Sequence, residues 1–338
     1  MGRVSRIFEV AAVAAVAALP GCGGGGEQGL PGPPPAPGPA PALERPVELG
    51  GSPAAVASGL GGVWIADNLR ARVLRVDPAT GEVTDRVRTG RAPVAIAVGE
   101  GAVWVAGADG AVQRIDPETL AVEPAARVPG AAGIAAGEGS VWVSSQSRST
   151  VTRLDPATGE ARGRPIGVGG GPTDVAVGGG AVWVANSRQM EGTVSRIEPG
   201  SGEAGEPIDV ADGQTFALTY GAGGVWVAAS DDERADRIDV VRIDPESSEV
   251  EGDGVRLGRP GLPVRLAAGD DAVWVAQAAG AALGAGAASG TIARLDPVER
   301  RRVGAPASLP GPPAGVSVGE GSVWVAIAGE GALVEVGP

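Results

Sequence analysis

The sequence predicts an all-β fold, a seven-bladed β-propeller of four-stranded blades, on three observations. Seven tryptophans recur along the chain, each eight residues after a branched aliphatic side chain. An Arg-aliphatic-Asp-Pro turn follows the tryptophan in five of the repeats and a Glu-Pro version in a sixth. The chain also begins with the strand that its last repeat lacks.

The tryptophans are Trp64, Trp104, Trp142, Trp183, Trp226, Trp274 and Trp324, spaced by 38 to 50 residues. Each lies in a Val-Trp-Val or Val-Trp-Ile tripeptide, and Val56, Ile96, Ile134, Val175, Leu218, Leu266 and Val316 stand eight residues earlier. A separation that never changes means two strands, A and B, joined by a hairpin of fixed length. Turns such as Gly59-Leu60-Gly61-Gly62 and Gly99-Glu100-Gly101 supply the positive φ that a tight hairpin requires. Strand C ends in Arg75-Val76-Asp77-Pro78 and its equivalents, with Arg196-Ile197-Glu198-Pro199 in repeat four. Asp accepts local N–H bonds and Pro presets φ, so these are β-turns leading to an outer strand D. Four short strands per repeat, seven times over, are the pattern of a propeller.

Repeat seven stops at Pro338 after strand C. The segment Arg45-Pro46-Val47-Glu48-Leu49 before repeat one matches Arg164-Pro165-Ile166-Gly167-Val168, the outer strand that leads into repeat four. Pairing the first strand with the last blade closes the ring and removes an open sheet edge, and a monomer is expected. The motif set, V-A-x-G-x-G-x-V-W-V-A then T-V-x-R-I-D-P-x-T-G, resembles YVTN-type and NHL-like bacterial propeller repeats. More distantly it is similar to virginiamycin B lyase-like propellers. The resemblance covers the body of the chain, 44–338, and implies the fold far more than an activity.

Ahead of that body, Arg3 and Arg6 precede the apolar run Val10–Leu19, which is too short to span a bilayer. Residues 1–21 therefore read as an export signal. Leu19-Pro20-Gly21-Cys22 resembles the lipobox of bacterial lipoprotein precursors, which implies diacylglyceryl modification of Cys22 and a membrane anchor on the extracytoplasmic face. Residues 22–43 are rich in Gly and Pro. They form a spacer whose Pro-rich half would extend roughly 40 Å at about 3.1 Å per residue.

Composition narrows the function. A net charge of −13 with scattered arginines argues against nucleic acid as partner. One cysteine excludes an internal disulfide framework and any multi-thiolate metal site. No histidine is present, so a lyase-type catalytic histidine, a Ser-His triad and a His-ligated metal all fall away. Seven of the ten aromatic residues are tryptophan, and each is flanked by apolar residues on both sides. That places them between blades as packing anchors rather than as a sugar-stacking platform.

Function is expected where the repeats differ. From tryptophan to turn acid, repeats one to three use 13, 12 and 13 residues, whereas four to six use 15, 18 and 22. The extra length falls in the B–C loops, which share one face of a propeller. Candidate binding residues there are Asp67, Asn68 and Arg70, with Arg72 beside them; Gln146 and Arg148; Asn186, Arg188 and Gln189; and Asp231 and Asp232, followed by Glu233, Arg234, Asp236 and Arg237. Their amides and guanidinium groups suit carboxylates, phosphates or sugar hydroxyls. The small, apolar run from Ala278 to Gly290 reads as a flap. Nine residues before each tryptophan stand Ala55, Ala95, Gly133, Asp174, Ala217, Arg265 and Gly315, so Asp174 and Arg265 break a ring of small residues near the axis. The expected partner is a polar small molecule, a glycan or a protein, with no required cofactor. The alternative is a Ca²⁺-dependent, lactonase- or lyase-like enzyme drawing on Asp174, Asn186 or Asp231.

Overall fold

The computed structural model describes residues 38–44, 46–90, 92–188, 191–230, 237–258, 261–279 and 289–337. They form seven antiparallel sheets arranged as the blades of one ring, with no helix among the described residues. Blade one runs from strand A (Pro53–Gly59) through B (Gly62–Asp67) and C (Arg72–Val76) to D (Val83–Arg88). Blades two to six repeat that order outward. In blade four the outer strand is split into Glu203–Ala204 and Ile208–Ala211. In blade three it shrinks to Ile166–Gly167.

The Val-Trp-Val pattern is the ring's adhesive. Strand B is buried on both faces because a neighbouring blade covers each side. Trp64 packs into blade two against Ile96, Val103, Val105 and Ile115, while its flanking Val63 and Ile65 meet Trp324 of blade seven. The same relay recurs at all seven seams: each tryptophan reaches the next blade, where the aliphatic residue eight before that blade's own tryptophan receives it. The fixed eight-residue spacing therefore aligns donor and acceptor of the packing contact, and all seven tryptophans are buried.

Repeated polar contacts support each anchor. The indole Nε1 of Trp64 donates to Gly59 O at 3.1 Å, as do five other tryptophans to the carbonyl five residues earlier. The Arg before the Asp-Pro or Glu-Pro turn lies over a tryptophan face in five blades, from Arg153 at 5.1 Å to Arg242 and Arg294 at 5.9 Å. In blade seven Glu335 takes that position and accepts from Ser322 Oγ at 2.5 Å. The A–B hairpin of blade one turns through Leu60 (φ 53) and Gly61 (φ 69), the two positive φ values of a type I′ turn.

Closure follows the expected route. Val47 and Glu48 pair with Leu333 and Ala332, making the N-terminal strand the outer strand of blade seven. Leu43 bridges Val336, and Gly337 N donates to Ala42 O at 3.0 Å. The last residues of the Pro-rich stretch thus run along the ring, and Ala305 N also donates to Gly38 O. Across the closing seam, Ser58 meets Ser317 hydroxyl to hydroxyl at 2.8 Å, and Glu320 Oε1 accepts from Gly61 N at 3.0 Å.

Candidate functional site

The B–C and D–A loops share one face of the ring, and backbone hydrogen bonds sew them together. Asn68 N donates to Ser52 O, Gln146 N to Gly130 O, Ser187 N to Gly171 O and Ser230 N to Gln214 O, at 2.8–3.1 Å. This repeated stitch gives the face a rigid floor, from which side chains project.

The candidate residues divide into two groups there. Asp67 and Asn186 occupy the same register, opposite Pro53 and Pro172, and each is 1% exposed. Asp67 Oδ2 holds Arg72 Nε at 2.7 Å, while Oδ1 accepts from the backbone N–H of Ser52 and Arg70. Arg72 continues to the carbonyls of Leu49 and Gly50, so this pair pins the closing segment to blade one. The Asn186 amide lies among Gly169, Thr193 and Ser195; with its nitrogen toward Gly169 O, both ends are satisfied. Asn68, Arg70, Gln146, Arg148 and Arg188 lie on the face, Asn68 half-buried and the other four exposed. Gln189, Asp231, Asp232 and most of the Ala278–Gly290 flap fall outside the described residues, as does Cys22.

Asp174 and Arg265 both lie at the axis. Both line a cavity of about 270 Å³ between the inner strands, bounded by Ala55, Ala95, Gly133, Ala217 and Gly315 at their own level. The lining residues come from the halves of strand A nearer the loop face. Asp174 Oδ1 accepts from Val175 N at 2.9 Å and Oδ2 from Leu218 N of blade five at 3.1 Å. Arg265 donates from Nε to Ala314 O of blade seven at 2.8 Å and from Nη1 to Val264 O at 3.0 Å. Among the described residues no ion pair joins the two side chains directly. Burial in the narrow passage raises the Asp174 pKa above the usual carboxylate range, opposed by the Leu218 and Val175 N–H groups and by Arg265. Burial likewise lowers the Arg265 pKa, offset by Asp174.

Two features escape the nine-residue register. Thr173 and Phe216, ten residues before their tryptophans, are half-buried on the cavity wall, where blades one, three and seven carry Ala54, Ala132 and Ala314. Phe216 is one of only two phenylalanines in the chain, a signal present in the sequence itself. A second cavity, about 620 Å³, opens at the blade four–five edge and is lined by Glu191, Asp209, Asp212, Arg237 and Asp239. Asp174 and Asn186 turn to separate partners, and among the described residues no three His, Cys, Asp or Glu side chains converge on a metal-sized site.

These features define a class: a seven-bladed propeller whose loop face surrounds a polar channel mouth. No family model matches the chain, and no curated protein matches it in sequence. Solved structures share the fold. A Kuenenia stuttgartiensis hydrazine synthase chain superposes with TM-score 0.70 at 16% identity, over 84% of this chain and 95% of that one. The virginiamycin B lyase of Staphylococcus aureus gives TM-score 0.65 at 16% identity, over 88% and 100%. U3-55K gives 0.67 at 9% identity, over 89% and 100%. Identities this low show a common architecture and nothing finer.

Proposed function

We propose that this chain is an exported propeller, lipid-anchored through Cys22, that binds a polar ligand or a protein through its B–C loop face. The observation that carries the reading is one-sided elaboration. The strands beside the blade-four B–C loop extend to Arg188 and Glu191, whereas the A–B turns opposite keep one compact form in six blades. Loop growth confined to one face of a rigid scaffold is the usual architecture of a binding surface. Residues 42–44 and 46–48 run up blade seven from the end opposite the B–C loops. The missing histidines favour binding over acid–base chemistry.

The test is capture from a membrane extract by the full-length chain and by the Arg70→Glu/Arg148→Glu/Arg188→Glu variant. Loss of the captured species in the variant is expected. Equal capture by both proteins would refute use of this face. Melts with and without Ca²⁺ form a second arm, and a large upward shift would revive the metal-dependent enzyme.

A further inference from the structure

The channel mouth has a chemistry of its own. Five of the seven residues at one level of the inner ring are Ala or Gly, which crowding explains: a Cβ on Gly133 would stand 3.1 Å from the Asp174 backbone. Packing therefore gives no reason for a carboxylate and a guanidinium at the other two. Each is held rigidly by two backbone bonds, Asp174 to blades four and five and Arg265 to blades six and seven. Each also keeps unused capacity. A carboxylate offers about four acceptor positions and a guanidinium five donors, and two are committed on either side. The charges stand two blades apart without a salt bridge, on the wall of the same cavity. Such an arrangement is a fixed dipole awaiting its complement.

We propose that this cavity binds a small zwitterion, a free α-amino acid, with its carboxylate on Arg265 and its ammonium on Asp174. This rests on the binding reading above and names the ligand class at the centre of the same face. Size selects among polar ligands. About 270 Å³ is the room of roughly nine waters at about 30 Å³ each, which admits a whole amino acid but only part of an oligosaccharide or a folded partner. Charge selects further. A lone anion would satisfy Arg265 and face Asp174, and a lone cation would do the reverse, whereas a zwitterion meets both. Phe216 gives the cavity an apolar wall for the ligand's side chain. Both charged groups sit on strands already in place, so little ordering is needed on binding.

The experiment is calorimetric titration of the full-length chain with glycine, L-alanine and L-leucine, with acetate and methylamine as half-ligand controls. At least one amino acid is expected to bind roughly tenfold or more tighter than either control. Asp174→Asn and Arg265→Gln should each weaken binding by about tenfold or more. Because both residues also staple neighbouring blades, Ala54→Phe provides a plug that touches neither charge. Blade five already carries Phe216 at the equivalent position, and the melt of Ala54→Phe should match wild type while binding is lost. The assignment is overturned if no amino acid gives heat, if acetate binds as well as the amino acids, or if Ala54→Phe still binds. Should the amino acids fail while the loop-face arginines still govern capture, only the channel assignment falls. Should both fail, the binding reading falls with it.

Discussion

Trp64, Trp142, Trp183 and Trp226 are each fixed from three directions, and Trp183 shows all of them. The blade-five residues Leu218, Val225 and Val227 pack against it, Gly178 O accepts from its Nε1 at 3.0 Å, and Arg196 lies 5.7 Å from the ring centroid. Trp183→Ala should cost about 3–5 kcal/mol, read as a lowered denaturant midpoint. An unchanged midpoint with altered ligand binding would instead mark Trp183 as a recognition residue. This role was legible in the sequence, because apolar neighbours on both sides of a strand residue leave it no wet face. Asp67 and Asn186 were less legible. They stand three residues after a tryptophan and look like loop residues, yet strand B continues through both positions. A linear pattern does not show the D–A loop folding back over them, which is what buries Asp67 beneath Ser52. Asp174 and Arg265 stood out as departures from a small-residue ring, but their backbone partners lie in other blades and appear only in three dimensions.

The Asp-Pro turn between strands C and D is the clearest single element. In blade three Asp155 Oδ1 accepts from Ala157 N and Thr158 N, while Oδ2 binds Arg162. These partners, the Arg162 hydrogen bond first, lower the Asp155 pKa. A carboxylate with a depressed pKa stabilises the fold above its unfolded value, and that contribution fades as pH falls through the folded value. The melting temperature of Asp155→Ala should therefore lie below that of wild type near neutral pH, with the gap closing below about pH 4. A gap independent of pH would mean that the ionised form does not matter. Blade four keeps the turn's backbone bond, Gly202 N to Glu198 O at 2.8 Å, although Glu replaces Asp. The turns and inner strands could be read from the sequence because spacing and burial constrain them. The outer strands could not be delimited so well: they are half-exposed and weakly patterned, hence the two-residue strand of blade three and the split strand of blade four.

At the scale of the ring, seven similar seams are closed by one short pairing. A chain beginning at Pro53 would lose Val47 and Glu48 from the edge of Ala332–Val336, together with the buried Leu49. It should melt at lower temperature and associate with increasing concentration as the bare edge finds partners, measured by calorimetry and light scattering. A monomer with an unchanged melt would show that the other seams suffice. Blade count and closure are both legible in the sequence. They depend on repetition, and repetition survives in one dimension.

The closing strand also determines how the ring would carry a pull. Tension on the chain at Gly38 meets the bond from Ala305 N first and then the segment from Leu43, beside Val336, to Glu48, beside Ala332. Its hydrogen bonds lie across the strand, so a force along the chain shears them together rather than peeling them singly. Glu44 N to Glu335 O and Leu49 N to Gly331 O share that load at its two ends. The strand that completes the circle is thus also the element through which the molecule would bear strain.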